Sequence, residues 1–131
     1  MTKRRLFDTN VLIDFLNGEA IVRDPVNQAL KTQTAYYSPI TWIELLSYPQ
    51  LTSPEAQAIR DFLHHLHIVD LSETILDRTA TIRQSTRVKL PDALIAACAI
   101  ESQCTLVTRN VKDFQRITLL NIENPYSSPQ P

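Results

Sequence analysis

Four acidic residues stand at positions from which they could act together chemically. Asp8 comes directly after a short apolar segment, and Asp113 follows closely on another. Glu44 and Asp92 lie in the first turns of two predicted helices. Carboxylate oxygens are hard ligands that suit Mg²⁺ or Mn²⁺, and a metal held by several of them can activate water for phosphodiester hydrolysis. The four acids are therefore candidate metal ligands and candidate catalytic residues.

Each of these acids also has an ordinary structural interpretation. Asp8 could cap the helix that follows it, and Asp92 could stabilise the start of its own helix. Glu44 could be the third residue of a capping box, and Asp113 could be a turn residue. For one acid taken alone, the structural interpretation is favoured. For all four it is weaker, because it has to explain why each lies beside a strand end or a helix start.

Short apolar segments alternate with helical patterns along the chain. Strands are predicted at residues 4–7, 35–38, 67–69, 105–108 and 119–122. Helices are predicted at residues 11–17, 22–31, 41–48, 53–66, 72–83 and 91–100. The one Asn-Gly pair, Asn17-Gly18, ends a predicted helix and does not join two predicted strands, so the pattern predicts an α/β domain with a mainly parallel central sheet. In such sheets, ligands bind beyond the carboxyl ends of the strands.

Local signals predict how several helices begin and end. Thr41 is the predicted N-cap of the third helix, because Glu44 stands three residues later at the capping-box spacing. Ser53 is the predicted N-cap of the fourth helix, with Pro54 at its first position. Gln103 would have to end the helix of Asp92 without the left-handed freedom of a glycine.

Composition narrows the class of protein. The chain of 131 residues is expected to form one domain, residues 1–124, followed by a flexible tail at residues 125–131. A net charge of −1 argues against a histone-like binder of nucleic acid. Gly18 is the only glycine, which excludes the Gly-rich phosphate loops. With two cysteines and no signal-peptide or membrane-span pattern, the chain is predicted to be cytoplasmic, with no membrane partner.

Three longer segments carry a family resemblance. They are LFDTNVLIDFL, SPITWIELL and LPDALIAACAIESQCTLVTRNVKDF. As a set they resemble the PIN-domain ribonucleases, and more narrowly the VapC-type toxins of bacterial toxin–antitoxin pairs. The resemblance spans essentially the whole chain, and it implies a PIN-like three-layer fold in which helices flank the sheet on both sides.

The resemblance also implies roles for individual residues. The acids that match metal ligands of Mg²⁺ or Mn²⁺ are Asp8, Glu44, Asp92 and Asp113. The polar residues that match supporting positions are Thr9, Asn10, Thr108 and Asn110. Many PIN domains place an acid where this chain has Asn110, so either Asn110 or Asp113 could complete the site.

The implied activity is Mg²⁺-dependent endoribonuclease cleavage by metal-activated water, in a toxin that forms a homodimer and is silenced by a cognate antitoxin. Basic residues near the acids could hold the phosphates of single-stranded RNA, although each could equally be solvated surface charge. These residues are Arg87, Lys89, Arg109, Lys112 and Arg116.

Two other functions are weighed against this one. The first is a catalytically silent PIN-like binding module that acts through a protein partner, against which the complete set of acids argues. The second is a phosphatase of the haloacid-dehalogenase type. That chemistry needs a second aspartate two residues after the nucleophile, and Asn10 stands in that place.

Overall fold

A five-stranded sheet, parallel at every strand pair, forms the centre of the structure. In the computed structural model, which describes residues 3–126, the strand order is β3-β2-β1-β4-β5. The strands are β1 (Arg5–Phe7), β2 (Ala35–Tyr37), β3 (His67–Ile68), β4 (Thr105–Val107) and β5 (Ile122–Glu123). The helices are α1 (Thr9–Leu16), α2 (Ala20–Lys31), α3 (Pro39–Leu45), α4 (Ser53–Leu63), α5 (Glu73–Ser85), α6 (Leu90–Glu101) and α7 (Val111–Phe114).

Two hydrophobic clusters cover the two faces of this sheet. Leu6 and Leu106 face a cluster built with α5, α6 and α7, whereas Phe7 and Val107 face a cluster built with α1 to α4. Neighbouring residues of one strand enter opposite clusters because side chains alternate along a strand. The predicted α/β fold, with a parallel sheet between two helical layers, is therefore confirmed.

The predicted start of α3 is wrong. The helix begins at Pro39, and its N-cap is Ser38, whose side chain accepts a hydrogen bond from the backbone N–H of Ile40 at 3.1 Å. Proline fits the first helical position, where its missing N–H is no loss. Thr41 consequently lies inside the helix, and neither Thr41 nor Glu44 is used in a cap.

The cap of α4 is also displaced by one residue from the prediction. Thr52, rather than Ser53, is the N-cap, and it forms a complete capping box with Glu55. The helix ends at Leu63, short of the predicted end at residue 66. Ser53 and Thr52 are both good capping residues, and only the spacing to Glu55 separates them.

The last strand is shorter and later than predicted. Leu119 lies outside it, 73% exposed and with a φ of 71°. β5 pairs with β4 through Ile122 and Glu123 instead. The short helix α7 was not predicted at all, because four residues carry too little periodicity to indicate a helix. Gln103, which follows the C-cap Ser102 of α6, adopts the left-handed conformation with a φ of 59°, although it lacks the conformational freedom of a glycine.

The predicted tail lies largely outside the described residues. Residues 127–131 are not part of the structure described, so the boundary at residue 124 stays a prediction. Tyr126, the last described residue, contacts the domain. Among the helices of residues 3–126, none combines the length and apolar composition needed to cross a membrane. Cys98 and Cys104 are buried free thiols.

Glu123 ties the outer strand β5 back to the N-terminal segment. Its Oε1 accepts hydrogen bonds from Arg5 Nε and lies within ion-pair distance of Lys3 Nζ, both at 3.1 Å. Partial burial by itself would raise the pKa of the Glu123 carboxyl, but the two cations outweigh it and hold the pKa below the ordinary value of 4.5. A lowered pKa in the folded state stabilises the fold above pH 4.5, and this is lost as pH falls through the lowered value.

We predict that Glu123→Gln lowers the free energy of unfolding by about 1 kcal/mol at pH 7 and by clearly less near pH 3. Urea denaturation at the two pH values measures the difference. Glu19→Gln serves as control, because Glu19 is exposed and makes no capping hydrogen bond. A Glu123→Gln effect of equal size at both pH values would contradict the prediction.

Candidate metal centre

Asp8 lies at the end of β1 and is held by donors from two parts of the chain. The residue is only 7% exposed. Its Oδ1 accepts the backbone N–H of Thr9, and its Oδ2 accepts the hydroxyl of Thr108, both at 2.8 Å. Burial raises the pKa of Asp8, the two hydrogen bonds oppose the rise, and the charge of Glu44 adds to it. Asp8 is also the N-cap of α1, so the capping interpretation is correct, and it is compatible with a role of the same carboxylate in the site.

Glu44 reaches the same region from α3. Thr9 Oγ1 donates to Glu44 Oε1 at 2.6 Å, and it lies 2.9 Å from Thr41 Oγ1. A threonine hydroxyl has one proton, so Thr41 must be the donor to Thr9. This chain of hydrogen bonds, from Thr41 through Thr9 to Glu44, fixes the position of the Glu44 carboxylate relative to α1.

Asp92, in the first turn of α6, experiences the other acids directly. Burial is the largest cause that raises the pKa of its carboxyl. The next causes are the negative charges of three other acids, which are, in order of effect, Asp8, Asp113 and Glu44. Lys89 opposes them without outweighing them. Like charges raise a carboxyl pKa only when they are close, so the four predicted acids share one electrostatic neighbourhood.

Two adjoining clefts open at this edge of the sheet. The first, which we call the acid cleft, has a volume of about 390 Å³ and is lined by Asp8, Thr9, Asn10, Ile13, Glu44, Ser47, Tyr48, Pro49, Asp92, Ile95 and Asn110. The second, which we call the basic cleft, has a volume of about 210 Å³ and is lined by Arg87, Val88, Lys89, Asp92, Lys112, Asp113 and Arg116. Asp92 lines both, so the two clefts meet at its side chain.

Asn110 and Asp113, the two alternatives for completing the site, are placed differently. Asn110 lines the acid cleft, and its backbone N–H donates to Thr108 Oγ1 at 3.0 Å. Asp113 is exposed on α7 and lines the basic cleft with Asp92. Thr108 therefore connects Asn110 to Asp8 through its single hydroxyl.

Four of the five predicted RNA-binding residues come together, and one does not. Those that line the basic cleft are Arg87, Lys89, Lys112 and Arg116. Arg109 lines neither cleft. Its guanidinium lies over the ring of Tyr126, 3.9 Å from the centroid, and 4.0 Å from Asp14 Oδ2.

Among the polar side chains at this site, the sequence analysis missed Thr41, Ser47 and Tyr48. Thr41 was interpreted as a helix cap, and only the packing of α3 against α1 shows that its hydroxyl contacts Thr9. Ser47 and Tyr48 line the acid cleft from the segment after α3. No sequence signal marked them, because their position depends on where α3 ends.

The donor chemistry at the acid cleft suits a hard divalent cation. The carboxylates repel one another there, and a bound cation would relieve that repulsion. Within residues 3–126, no three His, Cys, Asp or Glu side chains are already arranged as a group that could hold a metal ion. The oxygen ligands and negative charges of the acid cleft nevertheless suit Mg²⁺ or Mn²⁺.

Comparison with known proteins agrees with the fold and the residue pattern. Residues 5–119 match the family described as PIN domain. This chain belongs to the PIN domain family. The prediction made from the three sequence segments is thereby confirmed. No curated protein sequence matches the chain.

Several solved structures resemble the chain over nearly its whole length. A toxin–antitoxin complex from Klebsiella pneumoniae is 35% identical, with a TM-score of 0.78, over 95% of this chain and 99% of that one. VapBC2 from Rickettsia felis, bound to a DNA fragment from its promoter, is 27% identical, with a TM-score of 0.80, over 92% and 97%. DNA-bound VapBC from Salmonella typhimurium is 25% identical, with a TM-score of 0.77, over 95% and 99%.

We predict that Thr108→Val destabilises the protein by about 1–3 kcal/mol, whereas Thr108→Ser loses less. Valine keeps the shape of threonine but leaves Asp8 Oδ2 and the N–H of Asn110 without their partner. Chemical denaturation of the two variants measures the effect. Equal stability of Thr108→Val and the wild type would show that this hydroxyl does not hold the buried carboxylate.

Proposed function

We propose that the chain is a Mg²⁺- or Mn²⁺-dependent endoribonuclease and the toxin component of a toxin–antitoxin pair. The observation that carries the proposal is that three acids, Asp8, Glu44 and Asp92, line one cleft. Asp92 also lines the adjoining cleft, together with Asp113 and four cationic side chains. Membership of the PIN domain family and the likeness to toxin–antitoxin complexes support it.

The acid cleft is the proposed site of cleavage. Asp8, Glu44 and Asp92 would hold the cation, with Asn110 or Asp113 as the further ligand. When bound, the cation would lower the pKa of a coordinated water and stabilise charge on the leaving oxygen of the phosphodiester. The hydroxyls of Thr9 and Thr108 donate to Glu44 and Asp8, and such hydrogen bonds fix the orientation of carboxylates that bind a metal.

The basic cleft is the proposed site for the RNA backbone. Its cationic side chains can pair with phosphate oxygens, and Asp92 marks where such a strand would pass into the acid cleft. The net charge of −1 means that this attraction is local and does not come from the protein as a whole. Single-stranded RNA fits best, because an extended strand can lie along both clefts.

The cognate antitoxin is the proposed protein partner. An apolar groove between α1 and α4 shares Ile13 and Tyr48 with the acid cleft, so one partner segment could occupy both. Leu16 and Tyr48 in this groove are 41% and 53% exposed, which leaves apolar surface for a partner to cover. The homodimer stays a prediction from the family resemblance.

Substitutions that remove the negative charge of single acids test their proposed role as metal ligands. We predict that Asp8→Asn and Asp92→Asn each reduce RNA cleavage by roughly 100-fold or more, because each removes a charge needed to hold the cation. Both variants should also weaken Mn²⁺ binding in calorimetry and relieve growth arrest on expression. Asp24→Asn is the matched control, since Asp24 is exposed on α2 and lines neither cleft.

Wild-type rates of cleavage in both folded variants would refute the catalytic assignment. Undetectable Mn²⁺ binding by the wild type, together with no cleavage, would instead favour the catalytically silent binding module.

The basic cleft is tested by reversing its charge. We predict that the double variant Lys112→Glu/Arg116→Glu weakens RNA binding by roughly 100-fold at low salt and makes the dependence of log Kd on log salt shallower by about two. Fluorescence anisotropy with a labelled single-stranded RNA measures both. Lys31→Glu, on the exposed end of α2, is the control. An unchanged salt dependence would remove these residues from the RNA site.

A further inference from the structure

The last described residue, Tyr126, contacts two segments that meet at the acid cleft. Its hydroxyl donates to Asp14 Oδ2 at 2.5 Å, and Asp14 lies on α1. Its ring lies under the guanidinium of Arg109, 3.9 Å from the centroid, and Arg109 belongs to the loop between β4 and α7. Arg109 in turn lies 4.0 Å from the same Asp14 oxygen. We call these three residues the Tyr126 clasp.

The clasp joins the same two segments that hold Asp8. One hydrogen bond to the Asp8 carboxylate comes from Thr9 on α1, and the other comes from Thr108 in the loop before α7. Arg109 is the chain neighbour of Thr108, and Asp14 lies on α1 a little more than one turn beyond Thr9. A change in the spacing of α1 and the loop would therefore change both hydrogen bonds to Asp8.

The chemistry of the clasp makes it a stiff connection. A phenol that donates to a carboxylate forms a charge-assisted hydrogen bond, and an arginine over an aromatic face adds a cation–π attraction. Burial and the hydrogen bond to Asp14 both raise the pKa of Tyr126, so the phenol stays protonated and remains a donor. The guanidinium of Arg109 lies 4.0 Å from Asp14 Oδ2, and Asp14 directly follows Ile13, which lines the acid cleft.

We propose that Tyr126 is a positioning residue for the acid cleft, which through Asp14 and Arg109 sets the spacing of α1 and the Thr108–Asn110 loop and thereby the orientation of the Asp8 carboxylate. The consequence for function rests on the proposed metal-dependent cleavage, but the orientation of Asp8 can be measured without metal or RNA. In this proposal Arg109 acts through Tyr126 and Asp14, and its contact with RNA stays a prediction.

The test is Tyr126→Phe, which removes the hydroxyl and leaves the ring under Arg109. We expect the ¹³Cγ resonance of Asp8 and the amide resonances of Thr9 and Asn110 to move at pH 7 in the metal-free protein. Tyr36→Phe is the matched control, because Tyr36 lies on β2 and lines neither cleft. A clasp that only stabilises the fold would lower the melting temperature without moving these resonances.

A double-mutant cycle shows whether the Tyr126 hydroxyl acts through Asp14. Asp14→Ala alone should move the Asp8 resonance in the same direction, and Tyr126→Phe/Asp14→Ala should move it no further than the larger single effect. Independent, additive displacements would overturn the proposal, as would an Asp8 resonance that stays in place in Tyr126→Phe.

A second experiment tests the effect on function by measuring Mn²⁺ affinity and RNA cleavage. We expect Tyr126→Phe to weaken Mn²⁺ binding by about threefold to tenfold, less than a direct partner of a ligand would. We also expect kcat to fall with little change in KM for RNA. If the wild type binds Mn²⁺ and Tyr126→Phe binds it with the same affinity, the positioning role is refuted. If the wild type binds no Mn²⁺, the proposed nuclease function fails, and the metal-free resonances still decide the role of Tyr126.

Discussion

The site depends on one buried carboxylate and the two hydrogen bonds that hold it. Asp8 is nearly inaccessible to solvent, and a buried anion is costly unless donors satisfy it. Thr9 supplies one donor from the next residue in the chain, and Thr108 supplies the other from 100 residues away. Loss of the distant donor would leave Oδ2 of a buried carboxylate without that hydrogen bond. The positions of α1 and of the loop after β4 are therefore coupled to the charge at the end of β1.

The parallel sheet explains why the acids gather at one edge. β1 and β4 are neighbours and run in the same direction, so the residues that follow them, Asp8 and Thr108, emerge side by side. α3 and α6 then bring Glu44 and Asp92 to the same edge from opposite layers of the fold. Burial and, after it, the resulting repulsion raise the pKa of Asp92, so the charged form of its carboxyl is disfavoured without a cation. Evolution tolerates such a cost at functional sites more readily than in a structural core.

Sequence reasoning succeeded where the signal was local and strong. The alternation of strands and helices and the parallel α/β class were predicted correctly. It failed where two local signals competed. Thr41 and Ser53 each had a plausible cap spacing, but Ser38 and Thr52 occupy the caps. Leu119 looked like part of a strand, yet hydrogen bonding to β4 begins only at the residues after Leu120.

By itself the sequence determined which groups could act: the acids, the threonines that follow or precede them, and the basic residues near Asp92. It also determined the parallel α/β class, because predicted strands and helices alternate along the chain. Only the tertiary structure decided which of these groups meet. It brought Thr41 to Thr9, placed Asn110 in the acid cleft, and moved Arg109 away from the basic cleft onto Tyr126. These contacts join residues far apart in the chain, and their partners depend on strand order and helix packing, which no local pattern encodes.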